Sequence, residues 1–192
     1  MVEPVDAKEL IEEAIEQAEK VDRADRAIEK RFRDRVSILV GLFAVLLAVI
    51  HVAAAGNARE SVLKTIEASD TYNYMQAKII REAVLKTSAE NPLLSPEVKA
   101  RLLNDAARLR NPDKAGHGIS QLQPQADHLR DQGELASRKG EWLEFAETAM
   151  QVAIVMLSIA MVARSFGIVT AAASLAAVGV MIAAATASGL LS

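Results

Sequence analysis

A chain of 192 residues with a formal charge of −3 is 51% hydrophobic, yet only 4% aromatic and free of cysteine. Its apolar residues gather into three blocks and its charges into the segments between them, so one globular core is not expected. The lack of cysteine excludes disulfides, thiolate metal sites and cysteine nucleophiles, and interleaved charges without a basic surplus speak against nucleic-acid binding.

Residues 1–35 precede the first apolar block. Within them Ala7 to Arg35 reads as an amphipathic helix, with Ile11, Ala14, Ala18, Val21, Ile28 and Phe32 recurring at spacings of three and four. Glu16/Lys20, Glu19/Arg23, Asp22/Arg26 and Glu29/Arg33 stand in the favourable order for i,i+4 ion pairs. Such a narrow stripe suits a loosely covered solvated helix or a short coiled coil within an oligomer, Asp25 interrupting the core line of the latter. The abundance of Glu and Asp disfavours a helix lying flat on anionic lipid.

The blocks 36–55, 145–163 and 168–192 are each long enough to cross a bilayer, since twenty helical residues at roughly 1.5 Å each cover roughly 30 Å of hydrocarbon. Ala53-Ala54-Ala55 after the first block resembles a signal-peptide cleavage site, but the long acidic segment before it is unlike a short basic n-region. The first block is therefore read as a retained anchor. Lys30, Arg31, Arg33 and Arg35 abut its N-terminal end, against Arg59 and Lys64 beyond the other, so the N-terminus is expected in the cytoplasm and the C-terminus outside. The turn at 164–167, carrying Arg164, is then cytoplasmic, and Trp142 and Phe145 sit where interfacial aromatic anchors belong.

Segment 56–144 is expected outside the membrane as a helical hairpin whose arms continue two of the spans. In its first arm Val62, Ile66, Tyr72, Met75, Ile79 and Ala83 follow a helical period up to about Ala89, and Asn91-Pro92 ends the arm. Ser95-Pro96-Glu97 starts a short helix to about Arg110, a turn-rich stretch follows through Gly118, and the returning helix is placed near Gln125, after Pro124. The fold expected is an all-α integral membrane protein: three transmembrane helices, an N-terminal amphipathic helix, and an extramembrane hairpin between spans one and two.

The basic-flanked first span, the tract Ala68-Ser69-Asp70-Thr71-Tyr72-Asn73-Tyr74-Met75-Gln76-Ala77-Lys78, and Glu144-Phe145-Ala146-Glu147-Thr148-Ala149 at the second span occur in this order. Together they resemble the bacterial membrane family catalogued as domain of unknown function 4337, over roughly Arg31 to the C-terminus. Similar proteins carry a more basic turn between the last two spans, where this chain has only Arg164. The resemblance implies a bacterial inner-membrane protein and brings no activity, cofactor or catalytic residue with it.

Three groups of residues are candidates for function. His51, Glu147 and Gln151 lie near the outer ends of spans one and two, where pairing of the helices can bring them to one depth. Their commonplace role is a satisfied interhelical hydrogen bond; the alternative is a proton-sensitive pair. A haem-ligand role for His51 would need a second intramembrane histidine from another subunit. Tyr72, Tyr74, Gln76 and Lys78 form either a partner surface or ordinary hairpin packing, and His117 and His128 are expected at the surface. Gly179, Ala183 and Ala187 make a small-residue ridge on the third span, suited to close helix packing between subunits.

No nucleophile with its base, phosphate loop or metal-ligand spacing occurs, so the expectation is a protein that is not an enzyme and holds no cofactor or metal. The favoured reading is a homo-oligomeric scaffold or accessory subunit of a membrane complex, with membrane lipid and another membrane protein complex as its partners. A small oligomeric channel or transport component is the alternative.

Overall fold

The computed structural model describes residues 4–191, with the side chains of 4–10, Ala14 and Ala24 outside the described set. Readings that fall on residues 1–3, on Ser192 and on the Ala14 side chain lie outside it as well. The described residues form four helices and no strand: α1 (Pro4–Ala89), α2 (Pro96–Arg110), α3 (Ile119–Ala163) and α4 (Phe166–Ala187). Three of them, α1, α3 and α4, contain a stretch long and apolar enough to cross a membrane.

Helix α1 runs without a break for 86 residues. Pro4 begins it and no later proline intervenes, while Gly41 and Gly56 lie in open surroundings that neither demand nor forbid a side chain. It ends where Pro92 disfavours helical geometry at Asn91, the last turn tightening through Glu90 N–H to Thr87 O (3.2 Å) and Asn91 N–H to Ser88 O (3.3 Å). Ser95 caps α2 by accepting from Val98 N–H, with Pro96 at the first helical position and Arg108 and Arg110 in the last turn.

The returning helix begins at Ile119, six residues ahead of the expected Gln125, with Pro124 inside it. The intervening turn supplies the start. Asp113 Oδ1 accepts from Ala115 N–H (3.1 Å) and His117 N–H (2.7 Å), and Gln121 Oε1 accepts from Asp113 N–H (2.9 Å) and Gly118 N–H (3.2 Å). Gly118 O then takes the first helical bond, from Leu122 N–H at 3.0 Å. Pro124 in the second turn forfeits only its own bond, where an exposed carbonyl can turn to water. Gly118 is obligatory here, because a Cβ would lie 2.2 Å from Asn111 O.

The chain divides into two compact units, 1–51 with 143–188 and 52–142 with 189–192. In the first, Val36, Phe43 and Ile50 of α1 are buried at intervals of seven, as are Leu143, Met150 and Leu157 of α3. In the second, Ala54, Ala68, Glu82 and Ala89 keep to multiples of seven, as do Leu122 and Ala136 of α3, and Ala126, Gly133 and Gly140. This is the spacing by which two helices stay in contact over many turns. Contacts in the second unit run in antiparallel order: Gly140 lies against Ala58, Gly133 against Ser61 and Thr65, Asp127 against Tyr72 and His117 against Lys78.

That register divides the residues of the helical period read in the first arm. Tyr72 and Met75 are half-buried, but Val62 (59% exposed), Ile66 (52%), Ile79 and Ala83 face outward. A 3.6-residue stripe runs straight along one side of a helix, whereas the seven-residue line of contact winds slowly around it, so the two diverge over many turns.

Helix α4 buries Ala172, Ala176, Gly179 and Thr186. A Cβ on Gly179 would lie 3.0 Å from Ala146 O and 3.4 Å from both Ala149 Cβ and Met150 Cγ, so this glycine permits close approach of α4 to α3. Of the proposed ridge, Gly179 is thus occupied within the chain, Ala183 is half-buried and Ala187 is exposed. Gly179→Val should cost about 1–3 kcal/mol through overpacking, read as a lower midpoint of thermal unfolding in mild detergent, while Ala187→Leu should leave that midpoint unchanged.

Candidate functional site

Within the first unit, α1 and α3 bring His51 and Glu147 together. His51 Nδ1 lies 3.1 Å from Glu147 Oε1, and Gln151 Nε2 donates to the same oxygen at 3.0 Å. One carboxylate oxygen thus gathers both groups, and with Glu147 ionised His51 must carry its proton on Nδ1. The His51 side chain is 64% exposed and that of Glu147 19%, so the imidazole forms the open side of the cluster and the carboxylate the covered side. Chemically this is a hydrogen-bonded imidazole–carboxylate pair with an orienting amide.

The expected Glu29/Arg33 pair is replaced by a longer-range one. Glu29 Oε1 receives Arg164 Nη2 at 2.5 Å, and the rings of Phe32 and Phe166 meet edge to face with centroids 5.0 Å apart. Arg164 adopts φ 50°, a left-handed conformation unusual for arginine, in the two-residue turn between α3 and α4. The short-range pairs Glu16/Lys20, Glu19/Arg23 and Asp22/Arg26 all form.

In the second unit the Tyr72 to Lys78 tract is split by the register. Tyr72 donates to Asp127, a carboxylate partner that raises the phenol above its ordinary value. Lys78 donates to His117 O, and its Nζ stands 5.0 Å from the centre of the Tyr74 ring, which in turn meets the His117 ring edge-on at 5.8 Å. Gln76 is exposed, as are His117 and His128. Tyr72, Tyr74 and Lys78 therefore all meet the returning chain, Tyr74 while still 46% exposed, and Gln76 is presented outward.

Sequence reasoning missed the strongest electrostatic feature, Glu82. Its side chain is 3% exposed and receives Arg110 in a two-pronged contact, Nε at 2.8 Å and Nη2 at 2.9 Å, with Lys86 Nζ at 2.6 Å. The bonds from Arg110 first, then Lys86, outweigh burial and pull the carboxyl from its ordinary 4.5 to about 2. Asp113 is likewise lowered, chiefly by the His117 N–H bond. The signal was present: Glu82 lies fourteen residues from Ala68 and seven from Ala89, on the same line.

A family model described as domain of unknown function (DUF4337) matches residues 32–189. The chain belongs to this family. No curated protein and no solved structure matches it. The DUF4337 span takes in His51, Glu82, Arg110, Glu147 and Arg164 and leaves Glu29 outside.

The Glu82 contact sets a pH dependence. A carboxyl lowered on folding stabilises the native state fully above its unfolded value and loses that contribution as pH falls. Acid titration of the protein should therefore weaken the second unit between pH 4.5 and about 2, followed by hydrogen exchange in 52–142. Arg110→Ala should shrink that acid-dependent loss and destabilise the unit by about 1–3 kcal/mol at neutral pH.

Proposed function

We propose that this DUF4337 protein is a non-catalytic scaffold or accessory subunit of a membrane complex, acting as a homo-oligomer in the bacterial inner membrane. Spans 36–55, 145–163 and 168–192 hold it there, with 1–35 and the 164–167 turn in the cytoplasm and the C-terminus outside. The segment 56–144 stands outside as a helical hairpin. The basic cluster Lys30, Arg31, Arg33 and Arg35 beside the first span supports this orientation.

The observation that carries the reading is the outward face of α1 in the second unit. Leu63, Ile66, Asp70, Asn73, Ala77, Ile80 and Val84 recur at alternating spacings of three and four, and all are exposed. The face turned inward is the more polar one, with Lys64, Thr71, Lys78 and Glu82. A chain that spends charged side chains on internal packing and leaves four large aliphatics in water has a second seam to cover. Burying each aliphatic contributes about 1.5–3 kcal/mol. Asn73 in the middle of the seam suits α1 pairing in register with its copy, since a central polar residue discriminates among registers.

The chain contains no cysteine, so a single introduced thiol reports without background. Ile80→Cys should cross-link to a dimer under mild oxidation, and Leu85→Cys, half-buried on the inward side, should not. Equal cross-linking of the two, or none by Ile80→Cys at membrane concentrations, would remove the seam from the argument.

The His51, Glu147 and Gln151 cluster favours a second reading, a small channel or transport component that handles protons. In liposomes carrying a pH-sensitive dye, such a protein should pass protons and Glu147→Gln should abolish the flux. Absence of flux from the unaltered protein would leave the cluster a structural contact.

A further inference from the structure

The first unit carries a set of cations that its own fold leaves without partners. Lys30, Arg31, Arg33 and Arg35 are exposed, and among the described residues none makes an ion pair or a side-chain hydrogen bond. The helical neighbour that would neutralise Arg33 is Glu29, and Glu29 is drawn away by Arg164 at 2.5 Å. Only Asp34 stands among the four cations. Arg26, Glu29, Lys30, Arg33 and Asp34 surround an open cavity of about 450 Å³, in which Arg26 is already paired with Asp22 at 2.6 Å. The next residue along α1 after Arg35 is Val36, buried and the first of the apolar block.

We infer that Lys30 and Arg33 hold the phosphate of an anionic phospholipid at the water–hydrocarbon boundary, in a site kept open by the Glu29–Arg164 contact. It rests on the reading that the chain spans a membrane. Unpaired cations are concentrated where a lipid phosphate lies if the span begins at Val36, and the acyl chains of that lipid then run along the same face of α1, past exposed Gly41, Ala44 and Ala48. The ligand is one lipid at the end of a span, distinct from a helix lying flat on a surface. Arg164 acts as a positioning residue, removing the carboxylate that would otherwise compete for Arg33.

Native mass spectrometry of the full chain in mild detergent, titrated with phosphatidylglycerol or phosphatidylcholine, tests this. Phosphatidylglycerol should bind preferentially, and the double variant Lys30→Gln, Arg33→Gln should weaken it about thirtyfold, from two lost cation contacts. Lys20→Gln, Arg23→Gln, which removes cations already paired with Glu16 and Glu19, should leave binding unchanged. Arg164→Gln should weaken binding roughly fivefold, and adding Glu29→Gln to it should restore the affinity. Equal binding of the two lipids, indifference to Lys30→Gln, Arg33→Gln, or failure of Glu29→Gln to restore binding would overturn the inference. So would full displacement by inorganic phosphate at the same concentration, which marks a free-anion site. Release of the unaltered protein from liposomes by alkaline carbonate would instead overturn the membrane reading itself.

Discussion

Two long helices remain in contact only while their touching residues recur at the period of the contact, and for gently wound pairs that period is seven residues. On α1 this line passes through Val36, Phe43 and Ile50 in one unit and Ala54, Ala68, Glu82 and Ala89 in the other. On α3 it passes through Leu122, Ala136, Leu143, Met150 and Leu157. Every other feature is referred to it. It decides that Glu147 meets His51, that Tyr72 meets Asp127, that Gly133 lies against Ser61, and which side of α1 is left outside.

The line is served by different chemistry in the two units. In the first unit Phe43, Met150 and Leu157 fill it, and α4 is fitted to α3 by size, Gly179 lying against Ala146. In the second unit the line includes Glu82, and the unit holds its charge with two cations rather than excluding it. A buried carboxylate so paired is costly to disturb and adds little net stability over an apolar residue of similar volume. Lys86 reaches the carboxylate along α1 in any register, whereas the two-pronged contact from Arg110 requires one particular packing of α2 against α1.

The outward face of α1 follows from the same constraint. With the inward line committed to α3, the residues two positions away along each heptad point to the other side, and there the sequence places Leu63, Ile66, Ile80 and Val84. The Glu29–Arg164 contact is a parallel case of partner choice: a tertiary pairing takes a carboxylate from its helical neighbour and leaves Arg33 uncommitted. In each case what the chain offers to the outside is the remainder of what it uses within.

Composition and local pattern determined the helices, the three apolar stretches, the ends at Asn91 and Ser95, and the family, because these depend on runs of neighbouring residues. The short-range pairs from Glu16 to Arg26 were equally legible, since a helix places i and i+4 side by side whatever surrounds it. The tertiary structure alone decided which face of α1 turns inward, that Glu82 is buried, that Glu29 chooses Arg164, and that Ile119 starts the returning helix. The first three depend on residues distant in the chain, those of α3, Arg110 and Arg164, and the last on a turn in which Gln121 reaches back to Asp113; amphipathic period records neither.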